Sequence, residues 1–563
     1  MDYHQIYQQW VTDPFFDKTT KEELITIADE REIEERFYCN LKFGTGGMRG
    51  IMGAGTNRLN QYTIGRATKG VADYALANFS AESCAERGIA IAYDTRNNSR
   101  EFAKITANVL SGMGIKVYLF DKPVPTPQLS YTIPKLNCIL GIVITASHNP
   151  KEYNGYKLYD EKGGQLVPDQ VKRVIQYIDK ISDYTSVCFE GNNALIDSID
   201  NTEAFVNDVI DSTPQTATEN KKELKVVYTP LHGTGSIPVQ RALNKVGFSG
   251  VTVISEQEMP DGNFSTVKSP NPENKESMEL ALDFAGKHGA DIVLGTDPDC
   301  DRVGVGVRQN GEYVLLTGNQ TGALLSDYVT KSMTATRPAL IKTVVSSDLG
   351  AEIAKSRGVT VFTTLTGFKY AGEKISQFEQ AKRENCTERA YDFVFGYEES
   401  YGYLAGTYAR DKDGVGTCLL ICEMAAEYKA EGKTLVDRLH ELYQEYGYYL
   451  DYQDSFVFEG KAGVERMNAI MAEIRSNGIE LAEPYAVLDY NREVEAEKGF
   501  GKLPRSNVLK LVMDNGSWLA IRPSGTEPKI KVYYSIKMEN KELADRKLEE
   551  YRSLMKNVIR RGD

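Results

Sequence analysis

Short apolar runs alternate along this chain with segments that have the spacing of amphipathic helices. Residues 88–94, 115–120 and 138–144 are apolar enough to form buried strands, and helical patterns lie between them. Strands that alternate with helices are typical of a parallel sheet covered by helices. The alternation returns over residues 224–295 and again over 339–395. The pattern therefore predicts three successive α/β units that repeat an architecture more than a sequence.

The last quarter of the chain has a different pattern. Residues 415–447 have the spacing of two helices, and the residues after them combine strands with a long charged helix over 541–559. This mixture favours a smaller α+β domain. A chain of 563 residues also suggests about four domains. We therefore predict an α/β fold with mixed, mostly parallel sheets, divided into domains at 1–200, 201–312, 313–447 and 448–563.

Ser147 lies in the segment Thr145-Ala146-Ser147-His148-Asn149-Pro150, which directly follows an apolar run. Pro150 cannot continue a strand ladder, so we expect Ser147 on a tight turn at the carboxyl end of a strand. Ligands bind at this edge in open α/β sheets. A nucleophile, a phosphate ligand and a helix cap are three roles that a serine can fill there.

Asp297, Asp299 and Asp301 alternate with other residues between two apolar runs. In an extended segment, side chains two residues apart point the same way, so the three carboxylates are expected to converge on a cation. Oxygen ligands without a His or Cys cluster select a hard ion, Mg²⁺ before Zn²⁺. An EF-hand would need Gly and Glu where Arg302 and Arg308 stand. A solvated acidic loop is the other alternative.

Two further polar loops follow predicted strands. The segment Arg522-Pro523-Ser524-Gly525-Thr526 combines an arginine, two hydroxyls and a glycine backbone, which suits a phosphate. The segment Gly396-Tyr397-Glu398-Glu399-Ser400 offers carboxylates that can accept the paired hydroxyls of a sugar. By local sequence alone, an ordinary turn and an acidic helix N-terminus fit these segments equally well. Residues 366–369 and 410–414 carry weaker signals of this kind.

Composition excludes several classes of protein. Hydrophobic residues make up 41% and charged residues 26%, as in a packed soluble protein, and the net charge of -13 argues against a nucleic-acid partner. No signal peptide is recognisable, and no apolar run approaches the ~20 residues of a membrane span. Eight cysteines without a CxxC pair favour free thiols in a reducing cytoplasm. We therefore expect a cytoplasmic protein with no membrane contact.

Common catalytic and nucleotide-binding motifs are absent from the sequence. Arg49 breaks a GxGxxG pattern, and Glu427 stands where a P-loop needs glycine. Thr145 and Asn149 flank Ser147 where a nucleophile elbow needs glycines. Nucleotide-binding folds and serine hydrolases of these types are therefore disfavoured.

The four loops, in this order, resemble those of the α-D-phosphohexomutase superfamily and specifically its phosphoglucomutase/phosphomannomutase members. Thr145–Pro150 with Tyr153–Lys157 resembles the phosphoserine loop, 297–302 the metal loop, 396–400 the sugar loop and 522–528 the phosphate loop. The resemblance covers nearly the whole chain. The segment Phe-Gly-Thr-Gly-Gly-Met-Arg-Gly at 43–50 is most similar to the phosphoglucomutase-2-like branch, which includes phosphopentomutases. This family implies four domains around a central cleft.

The resemblance implies an isomerase that interconverts glucose 1-phosphate and glucose 6-phosphate through a phosphoserine at Ser147 and a glucose 1,6-bisphosphate intermediate, which is also the activator. One Mg²⁺ per chain would bind Ser147, Asp297, Asp299 and Asp301. The implied catalytic residues are Ser147, His148, Lys157, Arg49 and Arg302. His148 and Lys157 are the candidates for proton transfer, and the arginines would stabilise the phosphoryl group. The implied substrate-binding residues are Thr366, Gly367, Lys369, Glu398, Ser400, Lys412, Arg522, Ser524, Gly525 and Thr526.

Several alternatives remain open at the level of sequence. Mannose or pentose phosphates are alternative substrates to glucose phosphates. A Mg²⁺-dependent sugar phosphatase could use the same groups, whereas a non-catalytic sugar-phosphate binder would have no need of Ser147 and the three aspartates. We expect small-molecule sugar phosphates as partners, a monomer or homodimer, and movement of the C-terminal domain when the site closes.

Overall fold

The computed structural model describes residues 2–44, 46–458, 460–523 and 529–560. It divides into two compact units, and each unit is built from more than one stretch of chain. The first unit comprises Met1–Leu316, Phe368–Ser376 and Gly402–Ala430. The second unit comprises Thr317–Gly367, Gln377–Tyr401 and Glu431–Asp563.

Three short helices begin the first unit and enclose an aromatic cluster. They are α1 (Tyr3–Thr12), α2 (Lys18–Ile25) and α3 (Glu30–Phe37). Asp17 and Asp29 cap α2 and α3 by accepting hydrogen bonds from backbone amides of the first turn. Trp10, Phe16 and Phe37 are buried together, so this segment has a small core of its own.

The first sheet has seven strands in the order β1-β2-β6-β5-β3-β4-β7. The strands are β1 (Phe43–Gly44), β2 (Gly47–Ile51), β3 (Ile89–Tyr93), β4 (Val117–Phe120), β5 (Leu140–Ile144), β6 (Tyr153–Asp160) and β7 (Ile196–Ile199). The helices are α4 (Gln61–Asn78), α5 (Ala81–Glu86), α6 (Ser99–Gly112), α7 (Thr126–Lys135) and α8 (Pro168–Ile178). Strands β3, β4, β5 and β7 are parallel, whereas β1, β2 and β6 pair antiparallel. Every residue of β3 and β5 is buried, as expected for central strands covered on both faces.

The second sheet has five strands in the order β12-β11-β10-β8-β9. The strands are β8 (Val226–Thr229), β9 (Val251–Val253), β10 (Ile292–Thr296), β11 (Val303–Gln309) and β12 (Glu312–Leu316). The helices are α9 (Thr202–Asp211), α10 (Thr218–Glu223), α11 (Ser236–Lys245), α12 (Ser255–Glu258) and α13 (Lys275–His288). Strands β8, β9 and β10 are parallel, and an antiparallel hairpin continues the sheet from β10 through β11. The three aspartates lie at the tip of this hairpin.

The third α/β segment supplies strands and helices to both units. The elements are β13 (Pro338–Thr343), β14 (Thr360–Thr364), β15 (Asp392–Glu398), β16 (Gly402–Ala405), α14 (Gly318–Lys331), α15 (Leu349–Ser356), α16 (Lys369–Arg383), α17 (Gly414–Ala430) and α18 (Leu435–Tyr446). In the second unit, β13 pairs in parallel with β14 on one side and β15 on the other. β16 and α17 belong to the first unit, and α17 is buried along most of its length.

The C-terminal segment of the second unit is an antiparallel sheet in the order β17-β23-β22-β21-β18, beside a separate hairpin of β19 and β20. The strands are β17 (Tyr448–Val457), β18 (Tyr485–Asp489), β19 (Val494–Glu495), β20 (Lys502–Leu503), β21 (Leu509–Met513), β22 (Trp518–Pro523) and β23 (Lys529–Met538). The helices are α19 (Gly460–Asn477) and α20 (Lys541–Arg560). Helix α20 buries Ala544, Leu548, Tyr551, Met555 and Ile559, a helical spacing that places one apolar face against the sheet.

The predicted fold class is confirmed: the sheets are mixed, with parallel strands preceding an antiparallel C-terminal segment. One prediction about the third segment was wrong in detail. We expected the strand to end near Phe395, but β15 continues to Glu398, so this glutamate is the last strand residue and does not lie in the following loop. The domain boundaries stay a prediction. Among the described residues, the helices are all too short or too polar to cross a membrane.

Candidate active site

Ser147 lies on a turn directly after β5, as the sequence predicts. Its φ angle is +53°, in the left-handed region, and the residue is buried. Its backbone amide donates to Thr145 Oγ1 at 2.8 Å, which holds the turn closed. The Ser147 hydroxyl donates to Asp297 Oδ2 at 2.8 Å and lies 3.2 Å from His148 Nδ1. The serine oxygen is therefore shared between a carboxylate and an imidazole.

Asp297, Asp299 and Asp301 converge, as predicted. One carboxylate oxygen from each lies within 4.8 Å of the others, and the three residues are at most 2% exposed. The reason given from the sequence was wrong, because the segment is not extended. It is a tight turn between β10 and β11, with Cys300 at φ +51° and its amide donating to the Asp297 carbonyl. The turn, and not strand alternation, brings the carboxylates together.

This carboxylate cluster fits a hard cation. Asp299 Oδ1 and Asp301 Oδ1 are buried and have no hydrogen-bond partner among the residues that the structure describes. Buried carboxylate oxygens are costly to leave without partners. Burial, and then the charges of Asp299 and Asp301, raise the pKa of Asp297 well above its ordinary value. A divalent ion would relieve both the repulsion and the missing partners.

Two lysines flank the cluster. Lys157 Nζ lies 3.1 Å from Asp299 Oδ2 and 3.9 Å from Asp301 Oδ2, and Lys412 Nζ lies 2.9 Å from Asp301 Oδ2. Burial alone would raise the pKa of Asp299, but the two lysines hold it below its ordinary value. Both ammonium groups lie against metal-loop carboxylates. The roles of Lys412 in substrate binding and of Lys157 in proton transfer stay predictions.

Arg49, Arg302 and His148 lie near the same turn. Arg49 Nη1 donates to Asn149 Oδ1 at 2.8 Å, and Arg302 forms an ion pair with Glu273. Burial, followed by the charges of Arg302 and Arg49, lowers the pKa of His148 well below its ordinary value. The imidazole is therefore neutral at pH 7, and its ring nitrogen next to Ser147 can accept or donate a hydrogen bond according to its tautomer.

The sugar-loop residues belong to the second unit. Glu398 ends β15 and is buried, while Ser400 is half-buried. Glu399 Oε2 accepts hydrogen bonds from Thr343 Oγ1 at 2.9 Å and Ser346 Oγ at 3.3 Å, which ties the loop to the end of β13.

The remaining predicted substrate residues are placed in both units. Gly367 has a φ of +111°, and the hydroxyl oxygen of Thr366 is buried without a hydrogen-bond partner among the described residues. Lys369 is the first residue of α16 and belongs to the first unit. Arg522 lies within β22, one residue before the strand ends. Ser524, Gly525 and Thr526 lie outside the described residues, and the convergence of all four loops on one cleft stays a prediction.

Sequence reasoning missed two residues that hold these turns. Thr126 Oγ1 donates to Asp299 Oδ2 at 2.9 Å, and Arg96 donates to backbone carbonyls of the Ser147 turn. A signal for Arg96 was present, since Asp94 and Arg96 follow the apolar strand β3 at the edge where ligands bind. Thr126 starts a helix in a Pro-rich segment, and no local pattern distinguishes it.

Comparison with known families gives consistent matches over most of the chain. The description "Phosphoglucomutase/phosphomannomutase, alpha/beta/alpha domain I" matches residues 40–185, and its domain II and domain III counterparts match 203–311 and 317–446. The C-terminal domain of the same family matches 457–553.

Curated relatives have similar lengths. The phosphoglucomutase of Staphylococcus haemolyticus (strain JCSC1435) is 38% identical over 537 residues, which cover 92% of this chain and 94% of the relative. The phosphoglucomutase of Staphylococcus aureus (strain USA300) is 37% identical over 532 residues, covering 91% of this chain and 92% of the relative.

Solved structures share the fold at lower identity. Parafusin, a phosphoglucomutase from Paramecium in its open form, matches with a TM-score of 0.70 at 15% identity, covering 91% of this chain and 94% of the other. A phosphoglucomutase/phosphomannomutase family protein from Burkholderia thailandensis matches with a TM-score of 0.65 at 17% identity, covering 92% and 97%. At these identities the likeness concerns the fold alone.

Proposed function

The chain belongs to the phosphoglucomutase/phosphomannomutase family, and from this premise we propose that it interconverts glucose 1-phosphate and glucose 6-phosphate through a phosphoserine at Ser147. It is an isomerase of the mutase type. The observation that carries the proposal is the 2.8 Å contact between Ser147 Oγ and Asp297 Oδ2. This contact places the serine oxygen at the edge of the carboxylate cluster that fits a cation.

Ser147, Asp297, Asp299 and Asp301 are the residues that would hold one Mg²⁺. The two buried oxygens without partners, on Asp299 and Asp301, support this assignment. When bound, the ion supplies positive charge that neutralises the oxygens of the transferring group. Lys157 and Lys412 already offset part of the carboxylate charge. Together with the metal ion, they would allow a doubly charged phosphate group to bind beside the aspartates.

Phosphoryl transfer requires a proton to move at each oxygen that exchanges phosphorus. When the phosphoryl group leaves Ser147, the P–O bond to Ser147 Oγ breaks, a P–O bond to the sugar hydroxyl forms, and the sugar hydroxyl loses its proton. The proton that the sugar hydroxyl loses is the one that Ser147 Oγ gains, and His148 Nδ1, at 3.2 Å from Ser147 Oγ, is the first candidate to relay it. Lys157 is the second candidate, although its ammonium group is paired with Asp299. Arg49 and Arg302 would add positive charge around the transferring group.

Residues outside the serine turn and the metal loop would bind the part of the substrate that does not react. Glu398 and Ser400 are proposed to accept sugar hydroxyls, and Thr366 offers a buried hydroxyl without a partner among the described residues. Gly367, Lys369, Arg522 and the 524–526 segment are proposed to bind the second phosphate. Glucose 1,6-bisphosphate would stay bound while it turns, so that either phosphate can return to Ser147. The names of the staphylococcal relatives favour glucose over mannose or pentose as the sugar.

The experiment combines intact mass with turnover. Native protein should carry one extra phosphate that is absent in Ser147→Ala, and it should convert glucose 1-phosphate faster than mannose 1-phosphate or ribose 1-phosphate in parallel assays. Ser111→Ala is the matched control, since Ser111 is a buried serine in α6 whose hydroxyl donates to the carbonyl of Asn108. Free phosphate as the main product would overturn the proposal and would indicate a phosphatase.

A further inference from the structure

We propose that Arg96 is the positioning residue of the phosphoserine turn, and that it sets the rate of phosphoryl transfer without touching the phosphoryl group. The inference rests on the proposed function, because it concerns the same serine. It assigns a role to a buried guanidinium that lies outside the four loops. The argument depends on what its donors bond to, on how the arginine itself is held, and on the conformation that it maintains.

The Arg96 guanidinium bonds to the main chain of Ser147 and of the residues that follow it, as far as Tyr153. Nη2 donates to the carbonyls of Ser147 and Asn149, and Nη1 donates to the carbonyls of Pro150 at 2.9 Å and Tyr153 at 3.1 Å. An arginine has four N–H groups on its two terminal nitrogens. All four are directed to carbonyls of the turn and of Tyr153 at the start of β6, and Nε faces Asp94, so no terminal N–H is left for a phosphoryl oxygen. Arg96 therefore acts through the backbone of the turn.

The turn needs such a partner because of its geometry. Ser147 has a φ of +53°, which a residue with a Cβ adopts only when its surroundings impose it. The carbonyls of Ser147, Asn149 and Pro150 come after the last ladder bond of β5, where the strand no longer satisfies them. A planar fork can reach four carbonyls at once, whereas an ammonium group is a single point. Removal of the fork would let Ser147 return to an ordinary φ and move Oγ away from Asp297.

Arg96 is itself fixed by a closed set of contacts. Its Nε lies 3.3 Å from Asp94 Oδ2, and the same carboxylate oxygen accepts from Thr145 Oγ1 at 2.6 Å. Thr145 Oγ1 in turn accepts the Ser147 amide at 2.8 Å. Arg96, Asp94, Thr145 and Ser147 therefore form a ring of contacts, so the arginine and the serine cannot move independently.

The loop over residues 263–269, which precedes α13, also contacts Arg96 and the serine turn. The ring of Phe264 lies 5.0 Å from the Arg96 guanidinium carbon, and Ser269 Oγ donates to the carbonyl of His148 at 2.9 Å. Asn97 Nδ2 also donates to Asn263 Oδ1 at 3.0 Å. The loop that carries these residues leads into α13, next to the hairpin with the metal-loop aspartates. Arg96 thus fixes the serine turn relative to the metal loop as well as within its own domain.

The test compares Arg96→Lys and Arg96→Ala with Arg66→Ala. Arg66 is a matched control, since it is also buried and its Nε donates to a single carbonyl, that of Ile181, at 2.8 Å. Both Arg96 variants should lower kcat at least 100-fold with KM for glucose 1-phosphate within twofold of wild type. Added guanidinium should restore part of the rate in Arg96→Ala and have no effect on Arg66→Ala. A kcat of Arg96→Lys equal to that of wild type would overturn the proposal, because a positive charge alone would then be enough to hold the turn.

Hydrogen exchange provides a readout that does not depend on turnover. In protein without phosphate on Ser147, the amides of residues 145–149 should exchange at least tenfold faster in Arg96→Lys than in wild type or Arg66→Ala. Unchanged exchange together with unchanged kcat would overturn this inference while leaving the mutase intact. Faster exchange in a protein whose wild-type form converts no sugar phosphate would support the positioning role and overturn the proposed function alone.

Discussion

Thr126 and Asp299 are joined twice: Thr126 Oγ1 donates to Asp299 Oδ2 at 2.9 Å, and the Thr126 amide donates to the Asp299 carbonyl at 2.9 Å. The first turn of helix α7, which packs on the first sheet, thus holds the metal loop at the end of a strand of the second sheet. Because partners of ligating carboxylates typically change metal affinity 10–100-fold, Thr126→Val should weaken Mg²⁺ binding by about that factor, measured by calorimetry. Thr132→Val, whose hydroxyl donates to Gln128 within α7, should bind Mg²⁺ as wild type does. Equal affinity in both variants would contradict this role.

Mg²⁺ should stabilise the protein against heat. Without the ion, Asp297, Asp299 and Asp301 are buried close together, and burial, followed by the charges of the other two aspartates, raises the pKa of Asp297. A ligand present at 100 times its Kd adds about 2.7 kcal/mol to the free energy of unfolding. We expect a higher Tm in Mg²⁺ than in EDTA for wild type, and a much smaller difference for Asp299→Asn, by differential scanning calorimetry. The same increase in both proteins would place the metal elsewhere.

The sequence predicted which residues belong to the site better than how they are held there. Spacing correctly indicated that three aspartates converge, but the cause is a turn with Cys300 at positive φ, which depends on packing that no local pattern encodes. Arg96 and Thr126 were missed because their partners lie more than 50 residues away along the chain. Long-range contacts of this kind become visible only once strand order is known.

Substitution of Gly414 would show how closely α17 packs on the metal loop. A Cβ at this position would lie 2.7 Å from the carbonyl oxygen of Cys300 and 2.9 Å from its Sγ, so the loop must shift to accept it. Gly414→Ala should reduce stability by ~1–3 kcal/mol and weaken Mg²⁺ binding. Gly286→Ala in α13, where a Cβ meets nothing within 4 Å, should instead be neutral or stabilising by up to ~1 kcal/mol. Urea unfolding of the two variants gives the comparison, and a Gly414→Ala protein as stable as wild type would refute the close packing.

Glu399 should act on substrate affinity and leave the phosphoserine unaffected. Its Oε2 is the acceptor for Thr343 Oγ1 and Ser346 Oγ, so it anchors the end of β15 at Glu398 and the loop that carries Ser400. Glu399→Ala should raise KM for glucose 1-phosphate about tenfold, as expected when hydrogen bonds to a carboxylate worth about 1.5 kcal/mol are lost. Intact mass should still show phosphate on Ser147. Loss of that phosphate would mean that the loop does more than bind sugar.

A buried group of charges packs the C-terminal sheet against the end of β13. Lys510 Nζ donates to the Val344 carbonyl at 2.9 Å and lies 3.9 Å from the centre of the Trp518 ring, whose Nε1 donates to Asp348 Oδ2 at 2.8 Å. Burial, followed by the charge of Lys342, lowers the pKa of Lys510 to about 7, although Asp348 and Asp451 oppose this. The Lys510 amino group is therefore neutral in part of the folded molecules near pH 7.

This lowered pKa predicts how stability depends on pH. Between pH 7 and 10.5 the unfolded chain keeps a proton on Lys510 that the folded chain has released, so this residue makes the free energy of unfolding rise with pH, by at most about 1.4 kcal/mol per unit. Other titrating groups cancel when wild type is compared with Lys510→Met. Urea unfolding should show that wild type gains stability relative to Lys510→Met between pH 7.5 and pH 9.5. The control is Lys556→Met at an exposed position, whose free energy of unfolding should change with pH as that of wild type does. A constant difference between wild type and Lys510→Met would mean that Lys510 keeps its charge inside the protein, stabilised by Asp348 and Asp451.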